Sequence, residues 1–104
     1  MITAVVTFKV PKEMTRDKAL ELFKSRAPIF QNIPGLISKQ FLFDADRNVA
    51  GGVYLWESRA VADACYQGPW KDGIRKLALS EPEIAWFDSP VVINNETRQV
   101  KTAA

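Results

Sequence analysis

A chain of 104 residues, 47% of them hydrophobic, fits the size of one domain and leaves no room for a second independent core. Its 14 basic and 12 acidic residues are interspersed and leave a net charge of +2, which excludes the concentrated basic face that nucleic acid requires. A single cysteine and no histidine exclude an internal disulfide and a cysteine-based metal cluster, and remove the commonest general base, metal ligand and haem ligand together.

Ile2 to Val10 is rich in Val, Thr and Phe and alternates, with Ile2, Ala4, Val6, Phe8 and Val10 on one face, so it reads as a first strand ended by Pro11. From Thr15 the apolar period changes. Leu20, Phe23, Ala27 and Phe30 form a helical stripe capped by Thr15, and Pro28, which cannot donate to the carbonyl of Lys24, predicts a kink or break before Pro34-Gly35. Leu36 to Asp44 alternates again, with Ile37, Lys39, Phe41 and Phe43 opposite Leu36, Ser38, Gln40 and Leu42. Turn residues Asp44 to Asn48 then join it to a third strand, Ala50 to Glu57, in an antiparallel hairpin. Gly51-Gly52 marks a bulge or the close approach of another backbone.

Ser58 caps a short helix through Tyr66, with Val61, Ala64 and Cys65 on its packed side. Gly68 stops it, and Pro69 starts another helix with Trp70, Ile74 and Leu77 on its inner stripe. Lys71, Arg75 and Lys76 are read as the solvated face of that helix. Glu83 to Val92 is the fourth strand, bent or interrupted by Pro90, and residues 95–104 read as a flexible tail that stays disordered in a monomer or docks on a neighbour.

The order β-α-β-β-α-β is the split βαβ arrangement of a ferredoxin-like α+β domain with an antiparallel sheet, here over residues 1–104. Its helices are expected on one sheet face. The other face cannot be left wet, because Val53 and Leu55 oppose Tyr54 and Trp56 on a strand with large apolar groups on both sides. A homodimer joined through its sheet faces is therefore expected. No apolar run approaches the roughly 20 residues of a membrane span, and Met1 to Ala4 lacks the basic start of a signal peptide, so the expected setting is the cytoplasm with no membrane partner.

Ile33-Pro34-Gly35-Leu36, then Gly51-Gly52-Val53-Tyr54-Leu55-Trp56-Glu57-Ser58 and a helix carrying Ala60, Ala62 and Ala64, resemble the YdhR-type monooxygenase family. That family looks like a branch of the dimeric α+β barrel superfamily, together with the antibiotic-biosynthesis monooxygenases. The resemblance runs from the first strand through the fourth. It implies two ferredoxin-like subunits whose sheets pack into a barrel, a ligand cavity between sheet and helices in each, and oxygenation without metal, flavin or haem. The absent histidine sets the chain apart from the haem-degrading members.

Chemistry of that kind needs a large apolar pocket that binds a phenol or enol, favours its anion and excludes water. Phe8, Phe23, Phe41, Phe43, Tyr54, Trp56, Tyr66, Trp70 and Trp86 are available to line one. Tyr54, Trp56, Tyr66 and Trp86 are the substrate-binding candidates, since each joins a large apolar body to a polar tip; core packing or a dimer interface is the bland reading of all four. Asp88 as a general base and Arg59 as an anion holder compete with simple solvated roles, and no catalytic residue, metal ligand or cofactor is assigned. The function read from the sequence is a cofactor-independent monooxygenase acting on a small aromatic or enolic compound. The alternatives are a non-catalytic small-molecule-binding or stress-associated dimer, and an isomerase or lyase of the same barrel type.

Overall fold

The structure is a computed structural model and describes residues 1–102. Its elements are β1 (Ile2–Lys9), α1 (Arg16–Gln31), β2 (Leu36–Asp44), β3 (Val49–Trp56), α2 (Arg59–Cys65), α3 (Pro69–Arg75), β4 (Glu83–Asp88), β5 (Val91–Asn94) and β6 (Gln99–Thr102). The first four sheet strands lie in the order β2-β3-β1-β4 with every neighbouring pair antiparallel. β1, the strand with the cleanest alternation, lies inside the sheet. It pairs with β3 from Ile2 opposite Trp56 to Lys9 opposite Val49, and with β4 from Ile2 opposite Asp88 to Thr7 opposite Glu83.

That register sends Ala4, Val6, Phe8, Tyr54 and Trp56 to one face, where Ala62, Tyr66 and Ile74 from the helices complete the buried core. Val6 is 1% exposed, and burying an aliphatic side chain so fully contributes about 1.5–3 kcal/mol. The opposite face carries Val5, Leu42, Val53 and Leu55, all half-buried, and Phe87, which is 57% exposed. Nothing among the described residues covers it.

Two glycines are demanded by close approach. A Cβ on Gly51 would collide with the carbonyl oxygen of Val6 on β1, so the tight β1–β3 pairing tolerates no side chain there. Gly35 has φ +83°, and its Cβ would sit 2.7 Å from Cγ2 of Val61. It turns the chain into β2 while α2 packs against it.

The helix starts follow the sequence: the Oγ1 of Thr15 accepts from the amide of Lys18 and the Oγ of Ser58 from that of Val61. Three further expectations meet the structure. Helix α1 is not interrupted at Pro28 but runs on to Gln31. The proline is exposed and in the last turn, so it removes one hydrogen bond near an end where few remain. The fourth strand is interrupted at Pro90, as expected: it stops at Asp88, and Val91 and Val92 beyond the proline belong to β5 of a separate two-stranded sheet. The segment from residue 95, read as a flexible tail, is through Thr102 the turn and second strand of a β5–β6 hairpin, which pairs Val91 with Thr102 through Asn94 with Gln99. The Oδ1 of Asn94 accepts from the amides of Glu96 and Thr97 and holds its turn. Ala103 and Ala104, the end of that expected tail, lie outside the described residues.

Candidate functional site

Between the helix-facing side of the sheet and all three helices lies a cavity of about 470 Å³. Its floor comes from Val6, Phe8, Ala50 and Tyr54, one wall from Phe23 and Phe30 of α1, another from Trp70 and Ile74 of α3. Its rim includes the exposed Ile29 of α1, the exposed Gln67 and Gly68 between α2 and α3, and the exposed Pro69 that starts α3, which places the opening between α1 and that connection. Rings meet around it: Phe23 stacks on Phe41 at 4.7 Å, and Phe30 meets Tyr54 edge-on at 6.0 Å. A volume of this size and an apolar lining suit a small, flat organic ligand.

The polar groups of the lining are few. They include Lys39 and Arg26, and no aspartate or glutamate lines the cavity among the described residues. Lys39 occupies the apolar phase of β2, beside Phe41, and its stem lies over Gly52, where a Cβ would be 3.1 Å from its Cε. Its Nζ is 3.1 Å from the ring centre of Phe30, 3.9 Å from that of Phe41 and 4.4 Å from that of Tyr54. Burial in this ring cage lowers the lysine's pKa from 10.5 to about 7; the Cys65 thiol opposes the shift and the Arg26 guanidinium adds to it. Neither Lys39 nor Arg26 takes part in an ion pair among the described residues.

Of the four substrate-binding candidates, Tyr54 lines the cavity and the other three do not. The Nε1–H of Trp70 donates to the Tyr54 hydroxyl at 3.1 Å, which leaves that hydroxyl's own proton to offer. Burial pushes the Tyr54 phenol well above its ordinary range, with the Trp70 bond acting the other way. Trp56 is fully buried and donates through Nε1–H to the Tyr66 hydroxyl at 3.0 Å. These two residues form a wall behind the site: Tyr54 stacks on Trp56 at 5.9 Å, and Tyr66 packs against Tyr54 at 5.3 Å and Trp70 at 4.5 Å. Burial likewise raises the Tyr66 phenol. Trp86 lies on the far side of Tyr66, under the Arg59 guanidinium at 3.6 Å. Arg59 also bonds Asp63, which supports its bland reading over anion binding.

Among the other aromatic residues available for a lining, Phe8, Phe23, Phe41 and Trp70 reach the cavity. Phe43 lines a separate cleft between α1 and β2. Lys39 was not among the candidates, although a signal existed: it is a lysine in phase with Phe41 and Phe43, and such a residue faces the core unless the strand slips.

A four-stranded antiparallel sheet in this order, with helices on one face and an aromatic cavity between them, defines a ferredoxin-like α+β protein. Residues 4–98 match the family model described as "Putative mono-oxygenase ydhR", and the chain belongs to that family. Among solved structures, a monooxygenase from the gene ActVA-Orf6 of Streptomyces coelicolor, in complex with Nanaomycin D, is 20% identical with a TM-score of 0.68, over 89% of this chain and 90% of that one. A variant of SnoaB, a cofactor-independent oxygenase from Streptomyces nogalater, is 19% identical with a TM-score of 0.62, over 85% and 91%. A variant of MhuD with two manganese protoporphyrin IX molecules bound per active site is 18% identical with a TM-score of 0.68, over 91% and 100%. At these identities the likeness establishes the fold. No match was found among curated protein sequences.

Proposed function

We propose that the protein is a cofactor-independent monooxygenase that takes a small aromatic or enolic compound into the cavity between sheet and helices. The observation that carries this reading is the cavity itself: about 470 Å³, walled by stacked rings, with few polar groups, in a chain of a mono-oxygenase family. The ActVA-Orf6 and SnoaB relatives support it by the activities their names state.

The reaction balances without an added reductant. An activated methylene, in its enol form, loses a proton; the resulting anion passes an electron to dioxygen, and the two radicals combine into a carbon-bound peroxide. Protonation and loss of water then leave a new carbonyl, so one oxygen atom stays in the product and the other departs as water. The protein's part is to bind the ring flat, exclude bulk water and offer a donor such as the Tyr54 hydroxyl to the substrate's oxygen.

A haem-type group fits the residues poorly. The chain has no histidine; of the other haem-ligating types on the cavity lining, Met14 offers a thioether, which ordinarily serves opposite a histidine, and Tyr54 and Cys65 are both held toward their protonated forms by burial. The uncovered sheet face, with Leu55, Val53 and Phe87, is read as the seat of a second copy, which makes the working unit a homodimer joined through its sheets. The lone, half-buried Cys65 suits a cytoplasmic setting.

The test is oxygen uptake with a panel of anthrones, quinols and flavonoid-like phenols in chelator-treated buffer, with the product mass read in parallel. Uptake with one oxygen atom gained per turnover is expected. Saturable binding with no product from any of them would favour a non-catalytic binder, and turnover without oxygen an isomerase or lyase.

A further inference from the structure

Lys39 and Arg26 bring two cationic side-chain types to an apolar lining that contains no carboxylate among the described residues. A cation moved out of water without a partner is costly, and such groups are ordinarily paired. Three rings surround the Lys39 ammonium and supply some of what it lost, but ring faces accept no proton and carry no net charge. The titratable and charged groups of the lining come from separate elements: Lys39 from β2, Arg26 from α1, with the Cys65 thiol on α2 and the Tyr54 phenol on β3. The thiol and the phenol are both pushed toward their neutral forms. Neither serves as the missing anion near neutral pH.

We infer that the anion is supplied by the ligand, and that Lys39 is the catalytic residue that takes the proton from an acidic phenol or enol and then holds the oxyanion. The inference rests on the oxygenase reading and narrows its substrate to flat compounds with an acidic hydroxyl. The proton moves from the substrate oxygen to the neutral Lys39 amine, leaving an ammonium and an oxyanion side by side. No other bond changes in this step. Arg26, half-buried on the same lining, raises the fraction of Lys39 that is neutral beforehand and adds attraction for the anion afterwards. The ring cage fits such a ligand, because Phe30, Phe41 and Tyr54 already present faces and edges against which an aromatic anion packs.

The test uses the full chain and 4-nitrophenol, whose neutral and ionised forms absorb at different wavelengths. At a pH where the free dye is mostly neutral, the wild-type protein is expected to bind it with the phenolate band. Lys39→Met is expected to bind it neutral and to weaken phenolate binding by roughly 10–100-fold. Arg26→Met is expected to keep the phenolate band and lose only several-fold in affinity. Thermal melting of each variant confirms that it is folded. Three results would overturn the assignment: neutral dye in the wild-type cavity, no binding at all, or a phenolate band kept by Lys39→Met and lost by Arg26→Met. Oxygen uptake is a separate readout. A phenolate band that depends on Lys39, with no oxygen consumed by any substrate, sinks the oxygenase reading and leaves the anion site standing.

Discussion

Replacing Lys39 by methionine should stabilise the protein at neutral and mildly acidic pH. Methionine keeps most of the stem that lies over Gly52 and removes the amine. Burial lowers the Lys39 pKa from 10.5 to about 7. The folded chain therefore binds the proton more weakly than the unfolded chain, which retains an ordinary lysine. Between pH 7 and the ordinary lysine range the unfolded state holds a proton that the folded state lacks, so wild-type stability rises with pH across that window. Below it both states are protonated, and the whole cost of the buried charge is present.

At about 1.4 kcal/mol for each pH unit, the fall from 10.5 to about 7 sets a ceiling of about 5 kcal/mol. Water reaching the amine through the cavity opening reduces this, and Lys39→Met also gives up roughly 0.5–2 kcal/mol of attraction to the three ring faces. A net gain of about 1–3 kcal/mol at pH 6 remains. For a domain of this size each kcal/mol moves the melting temperature by about 4–8 °C. Urea unfolding of both proteins from pH 5.5 to 10 is the assay, and the two stability curves should converge as pH rises. Because the chain has no histidine, the side chain that ordinarily titrates near pH 7 does not obscure the slope. Equal or lower stability of Lys39→Met at pH 6, with the same pH dependence as wild type, would show that the amine is solvated and the argument about the cavity wrong.

Trp56→Phe leaves the buried Tyr66 hydroxyl without its donor and opens a small cavity where the indole was fully buried; a loss of about 2–4 kcal/mol in urea unfolding is expected. Gly51→Ala forces β1 away from β3 at the Val6 carbonyl, and should cost about 3 kcal/mol or leave the chain unfolded, read by circular dichroism. Leu55→Asp puts a charge in the middle of the uncovered sheet face. It should convert a dimer to a monomer in sedimentation equilibrium and make melting independent of concentration.

Where one side chain's type settled one backbone choice, the sequence was legible. The alternation from Leu36 to Asp44 marks β2 with the bounds the structure gives it, and Thr15 and Ser58 identify the helix starts because a hydroxyl there satisfies an orphan amide. Pro28 misled because proline's effect depends on how much helix follows it, and only a short final turn does. The turn and β6 read as tail because their residues are polar or exposed, and the turn is held largely by one asparagine side chain. For the site, aromatic content predicted a cavity but not its lining. Tyr54 and Trp56 share a strand face and both meet Tyr66, and what separates them is that the cavity reaches Tyr54 while Trp56 is fully buried behind it. Lys39 shares the phase of Phe41 and Phe43, so its face was legible in the sequence; the ring cage around its amine was not, because that cage is assembled from α1 and from the pairing of β2 with β3.

A cavity of about 470 Å³ in a chain of 104 residues is also a defect in packing. Side chains along its walls lack neighbours on one side, and that shortfall subtracts from a net stability that is only about 5–15 kcal/mol for a typical domain. Whatever fills the space restores those contacts, so the empty protein should be the softer one and the occupied protein the firmer. At about a hundred times its dissociation constant a ligand adds about 2.7 kcal/mol. Thermal melting against a library of flat phenols and enols would then reveal which of them the cavity accepts before any turnover is seen.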